Sequence, residues 1–248
     1  IRHGESTVNR ASRQYREEGD AWPGRAYREG EFFDAPLTAR GKEEAKEAQQ
    51  ELKELMRSSE AELAHRLVIM STLHRALETA AFSVLALIPP DEQTTWIALE
   101  SVRESTTGEI RSLDGVDVPH EVSMEKPCNL RRPLSHAYRS FPHVDFSLCT
   151  EKDPLPQIET IAMVDERVIE FVDWLRRWVE QKRVVHGDVQ IDVALVSHYV
   201  FLHRLMSKLV KATNDTGTSC SFKNCEIRVL PLSSILHLSL ANDLAVVA

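Results

Sequence analysis

The strongest constraint on this chain is a short apolar, β-prone run that turns directly into a segment of helical spacing. LVIMS (67–71) leads into RALETAAFSVLAL, and IDVALVS (191–197) leads into a helix expected from Tyr199 to Lys211. TTWIAL (94–99) suits another strand. Runs of five to seven residues with no polar alternation are of buried-strand length, too short to cross a bilayer. Strands alternating with helices imply a sheet covered by helices on both faces, an α/β architecture.

The remaining periodicity extends this scheme. Residues 38–57 place Ala45, Ala48, Leu52, Leu55 and Met56 at helical spacing behind Thr38, a side chain suited to the N-cap. The helix after LVIMS is expected to end at Pro89-Pro90. A long helix is expected over 158–182, with Met163, Val164, Val168, Phe171, Val172, Leu175 and Val179 as its apolar stripe. EIRVLPL and ILHLSLA read as two closing strands. Between Glu100 and Gln157 the pattern gives way to a segment rich in proline, the kind of stretch that covers or shapes a site. Residues 10–30 mix Arg10, Arg13, Arg16, Arg25 and Arg28 with acidic neighbours. This run reads as a solvated loop, or as a cationic lid able to meet a second anionic group on a substrate. One domain over 1–248 is the simplest organisation. Ile1 abuts the first motif directly, so the N-terminus is expected to be incomplete.

A net charge of -8 disfavours a nucleic-acid backbone as partner, and an anionic ligand would need basic residues to converge locally. Four cysteines without CxxC spacing read as reduced thiols in a cytoplasmic protein, and the histidines lack metal-ligand spacing. No glycine-rich nucleotide fingerprint points to ATP.

Three segments share a design. Arg2-His3-Gly4-Glu5 follows the stub of a strand, Ser71 to Arg75 lies where LVIMS becomes a helix, and Ser197-His198 lies where IDVALV does. Strand carboxyl ends and the helix N-termini that follow them form the usual ligand crevice of such sheets. Two arginines and two histidines converging there suit a phosphoryl group. Guanidinium makes paired hydrogen bonds to phosphate oxygens, and a neutral imidazole can attack phosphorus in line.

RHGES at 2–6 with Asn9, APLTARG at 35–41, STLHRALETA at 71–80 and VSH at 196–198 resemble, in order, the signatures of the histidine phosphatase superfamily, its phosphoglycerate-mutase-like group. SHAYRSFPHVDFS (135–147) with Asp153 is similar to a plant, fungal and protist branch of that group. The resemblance implies a mostly parallel central sheet, a phosphohistidine intermediate, no metal or cofactor, and a small phosphorylated substrate. It makes His3 the nucleophile, Arg2 and Arg75 the phosphate-binding arginines, and His198 the second pocket histidine. It places Asn9, and with it Ser6, against the phosphate.

The family's proton donor is commonly a glutamate with glycine four residues on, a pattern that Glu104 and Gly108 satisfy and Glu100 does not. The long signature that glycolytic mutases carry after this glutamate is missing, which favours a phosphatase over a mutase. Tyr199 departs from the small residue usual after the second histidine. Its ring would either crowd the phosphate or form a wall of the substrate pocket. The first case would leave a phosphate-binding module without turnover.

Overall fold

The computed structural model describes residues 1–57, 65–106, 126–155, 159–187, 189–215 and 217–238. The apolar runs form β1 (His65–Ser71), β2 (Thr94–Leu99) and β3 (Ile191–Val196), all parallel and in the order β2-β1-β3. Strand alternation sorts their side chains onto two faces. Leu67, Ile69, Ile97 and Leu99 join one core, and Val68, Met70, Trp96, Ala98 and Val196 the other.

The strand stub at the N-terminus extends this order beyond β3. Arg2 bridges Ser197 in parallel, the Ser197 amide donates to the Ile1 carbonyl, and the His3 amide donates to the Ser197 carbonyl. The RHG corner therefore sits beside the carboxyl end of β3.

Helices cover both faces. α5 (Ile161–His186) and α6 (Tyr199–Thr213) supply the first core, and α3 (His74–Ser83) the second. Thr160 caps α5, its side chain accepting from the Met163 amide at 3.3 Å. The buried stripe of α5 includes Val164, Val168, Phe171, Val172, Leu175 and Val179, as its spacing predicts. α2 (Ala39–Arg57) starts directly after Thr38, whose Oγ1 accepts from the Gly41 amide at 3.0 Å.

Four expectations need correction. The mixed-charge segment 10–30 is no loop in its first half, because α1 (Thr7–Glu17) occupies it. Ser6 and Asn9 close a capping box there, and the Arg13 guanidinium pairs with the buried Glu5 carboxylate. The helix after β1 ends at Ser83, well before the proline pair. Turns through Ile88 bring the Ile88 carbonyl to the Trp96 indole N–H at 3.1 Å, a tertiary contact that outweighs local helical preference. The segment after Glu100 holds a short helix, α4 (Ser135–Ser140).

The closing strands are absent among the described residues. Arg2 exchanges backbone bonds with Cys225 and Glu226 over one step only. Beyond it, Pro231 removes a donor and α7 (Leu232–Leu236) follows. Arg176 claims the Leu236 and Leu238 carbonyls. Gly108, the rest of 107–125, residues 156–158 and the end of ILHLSLA lie outside the described residues.

Candidate active site

Because the strands are parallel, their carboxyl ends share one edge, and each delivers one or more candidates. β1 leads to Arg75 in the first turn of α3, β2 to Glu104, and β3 to His198 at the N-cap of α6. The bridge to Ser197 brings Arg2 and His3. Residues scattered over nearly 200 positions thus meet in one place.

His3 is buried, with Nδ1 2.7 Å from the Gly4 carbonyl. A carbonyl only accepts, so Nδ1 carries the proton and Nε2 keeps its lone pair. Arg75 Nε donates toward that lone pair at 3.3 Å. Burial, then the charges of Arg75 and Arg2, push the His3 pKa well below the usual histidine range, so the ring is neutral. The His198 ring lies 4.9 Å from the His3 ring between centroids, tilted by 54°. His198 is fully buried, and neither ring nitrogen meets a hydrogen-bond partner among the described residues. Burial, with Arg75 and His3, likewise drives its pKa well down.

Neither arginine forms an ion pair among the described residues. Arg75 Nη1 donates to the Cys128 carbonyl at 2.7 Å and Nη2 to Asn129 Oδ1 at 2.8 Å. Arg2 donates to the Phe222 carbonyl at 2.7 Å and keeps a buried Nε without a partner. Burial lowers the pKa of both guanidiniums. Five N–H groups belong to Arg75 and three are committed, which leaves two for an oxyanion.

Glu104 lies at the N-terminus of α6. Its carboxylate accepts from the Val200 amide at 3.1 Å and from its neighbour Ser105 at 3.0 Å. Tyr199 turns its ring toward Arg2, whose guanidinium carbon is 5.2 Å from the ring centroid. The same ring stacks on His203, and its hydroxyl lies 3.1 Å from Ser221 Oγ. Ser6 and Asn9 are committed largely to each other. Asn9 Oδ1 accepts from the Ser6 amide and hydroxyl, and its Nδ2 donates to the Tyr27 hydroxyl at 3.4 Å.

The motifs also have reasons that spacing did not reveal. A Cβ on Gly41 would sit 2.1 Å from the Glu5 carbonyl oxygen, and one on Gly4 2.5 Å from the Gly41 carbonyl oxygen. Two backbones cross there, and only glycine permits it. Thr38 donates to Glu5, and Thr79 accepts from the Gly4 amide at 3.1 Å while donating to the Arg75 carbonyl at 2.7 Å. Thr79 thereby ties the His3 corner to the Arg75 helix.

Sequence reasoning missed several neighbours. Asp34, at φ 48°, accepts from the His74 amide at 2.9 Å and caps α3 from 40 residues away. Lys126 sets its ammonium 5.5 Å over the Tyr27 ring. Burial lowers its pKa, Glu104 and Cys128 oppose that, and Arg28 and Arg75 reinforce it. Asn129 and Cys128 hold Arg75. No periodicity signals any of these, because each partner lies in an irregular segment.

Among the described residues no group of three or more His, Cys, Asp or Glu side chains could hold a metal ion, and no helix is long and apolar enough to cross a membrane.

The chain is similar to a phosphoglycerate mutase-like protein of Arabidopsis thaliana, 28% identical over 221 residues, covering 82% of this chain and 74% of that one. Phosphoglycerate mutase-like protein 1 of the same plant is 28% identical over 223 residues, covering 82% and 72%. Among solved structures, the ecdysone phosphate phosphatase of Bombix mori in complex with tungstate is 18% identical. That alignment spans 92% of this chain and 82% of that one, at a TM-score of 0.47. Residues 1–234 match the model of the histidine phosphatase superfamily (branch 1), and the chain belongs to that family.

Proposed function

We propose that this chain is a phosphatase acting on a small phosphomonoester through a phosphohistidine on His3. One observation carries the reading: a neutral, tautomer-fixed imidazole with its Nε2 lone pair against a guanidinium that pairs with no carboxylate among the described residues. An oxyanion drawn to Arg75 would compete for that guanidinium and free Nε2 to attack. His198, whose nitrogens have no partner among the described residues, and Arg2 would complete the phosphate's surroundings.

In the first step Nε2 bonds to phosphorus, the ester P–O bond breaks, and Glu104 gives its proton to the departing alcohol oxygen. In the second step water attacks phosphorus and gives a proton to Glu104. The N–P bond breaks and inorganic phosphate leaves. Tyr199 serves as a wall of the pocket, which its contacts with Arg2, His203 and Ser221 support. Asn9 reaches the phosphate edge through Nδ2, with Ser6 setting its orientation.

The test is hydrolysis of p-nitrophenyl phosphate, with and without a chelator. We expect turnover in both, and a loss of at least about 1,000-fold in folded His3→Ala. Most of the activity surviving in that variant would remove His3 as nucleophile.

The names of the Arabidopsis relatives favour one second reading, a mutase that returns the phosphoryl group to another hydroxyl. Positional exchange on phosphoglycerate that depends on a bisphosphorylated primer would establish it. Oxyanion binding without turnover on any phosphomonoester would leave a binding module.

A further inference from the structure

Arg75 is held in place by groups that cannot neutralise it: the His3 ring, the Cys128 carbonyl and the Asn129 side chain. The last also reaches the segment of Glu104. Asn129 is buried, and all four of its polar groups are engaged. Its Oδ1 accepts from Arg75 Nη2 at 2.8 Å, and its Nδ2 donates to the Ser105 carbonyl at 2.6 Å. Its carbonyl accepts from Arg103 Nη2 at 2.5 Å, and its amide donates to the Lys126 carbonyl at 2.8 Å. The amide orientation is fixed by chemistry: guanidinium only donates and a carbonyl only accepts, so oxygen must face Arg75 and nitrogen must face Ser105.

Ser105 follows Glu104 directly. Asn129 therefore bridges the helix that carries the oxyanion-binding arginine and the segment that carries the acid, two elements that share no strand or turn. Guanidinium recognises an oxyanion through a rigid planar fork, and its value depends on being aimed before the ligand arrives. An aspartate in this place would hold the fork as well but would cancel its charge. A neutral amide holds it and leaves the charge available.

We infer that Asn129 is the positioning residue of this site, orienting Arg75 for the phosphoryl group and fixing the Glu104 segment against it. The inference rests on the reading of the site as a phosphoryl-transfer centre.

The experiment uses the full chain, orthovanadate as oxyanion probe measured by calorimetry, and p-nitrophenyl phosphate kinetics over pH. Asn129→Ala releases one side of the Arg75 fork. Vanadate affinity and kcat/KM should each fall about tenfold or more, the effect of losing a charge-assisted hydrogen bond. Asn129→Asp is nearly isosteric and keeps the acceptor for Arg75, but adds negative charge beside it. Vanadate should then bind more weakly than in Asn129→Ala. The acid limb of the kcat/KM profile should also move to higher pH, because the field that keeps His3 unprotonated is weakened.

A structural role alone would lower the melting temperature of both variants and move neither vanadate affinity nor the acid limb. Folded Asn129→Ala with wild-type vanadate affinity overturns the inference. If that variant does not fold, Asn129→Asp with an unmoved acid limb and unchanged affinity overturns it equally. Wild-type protein that fails to bind vanadate would instead overturn the oxyanion site itself, a result distinct from variants that match a competent wild type.

Discussion

Two groups of arginines in this fold are treated in opposite ways. Arg103, Arg131 and Arg167 face carboxylates. Arg103 pairs with Asp153 at 2.5 Å and Glu100 at 3.2 Å, Arg131 with Glu100 at 2.6 Å, and Arg167 with Glu159 at 2.5 Å. Among the described residues Arg2 and Arg75 meet carbonyls, an amide, an imidazole and the Tyr199 ring, and no carboxylate pairs with them. The pKa directions follow. Burial pulls Arg103 down, but the hydrogen bonds and charges of Asp153 and Glu100 more than reverse it, and its pKa is raised. For Arg75 burial prevails and the pKa is lowered. The first group is a closed clasp that fixes the irregular segment after β2. The second has no such carboxylate pair among the described residues, as the proposed phosphate site requires.

The largest effect should come from breaking the clasp. Arg103→Leu strands Asp153 near the interior, leaves Glu100 with Arg131 alone, and should cost about 3–5 kcal/mol in urea denaturation. Arg75→Leu removes a buried charge that has no carboxylate partner among the described residues and should cost only about 1 kcal/mol while abolishing vanadate binding. Equal destabilisation by the two substitutions would collapse the distinction.

Next comes pH. The folded pKa values of His3 and His198 lie below the unfolded value of about 6.5, so the unfolded chain binds more protons as acid is added. Stability should be full above about pH 6.5. Below it, the loss should be about 1.4 kcal/mol per pH unit for each ring, until the folded pKa is reached. Denaturation at pH 7.5, 6.5 and 5.5 measures the slope, which should be roughly halved in His198→Gln. A slope indifferent to that change would place the acid sensitivity elsewhere.

The last test isolates backbone from charge. Gly41→Ala forces a Cβ against the Glu5 carbonyl and should cost about 1–3 kcal/mol, with little dependence on salt. A fully tolerated alanine would show that the crossing beneath His3 gives way easily.

The strands and the five central candidates were legible in sequence for different reasons. β1 and β2 announce themselves because burial demands apolar runs, and β3 carries a similar run although Val196 alone is fully buried and Asp192 is exposed. Arg2, His3, Arg75, Glu104 and His198 carry the family's motifs. α1 does carry a short apolar stripe, Val8, Ala11 and Tyr15, but the mixed charges of the run mask it, and its cap depends on Ser6 and Asn9 bonding to each other. The end of α3 followed the reach of Ile88 toward Trp96 rather than the proline pair. Asp34 and Asn129 gave no signal, since a side chain that caps or braces a helix 40 or 54 residues away has no local pattern.

Sequence alone determined that strands and helices alternate and which residue types stand at the strand ends, since burial and turn chemistry act over a few neighbouring residues. Tertiary structure decided which arginines keep a free charge. That outcome depends on whether the nearest acceptor, supplied by a distant segment, is a carboxylate or a neutral oxygen, and only the folded arrangement makes that choice.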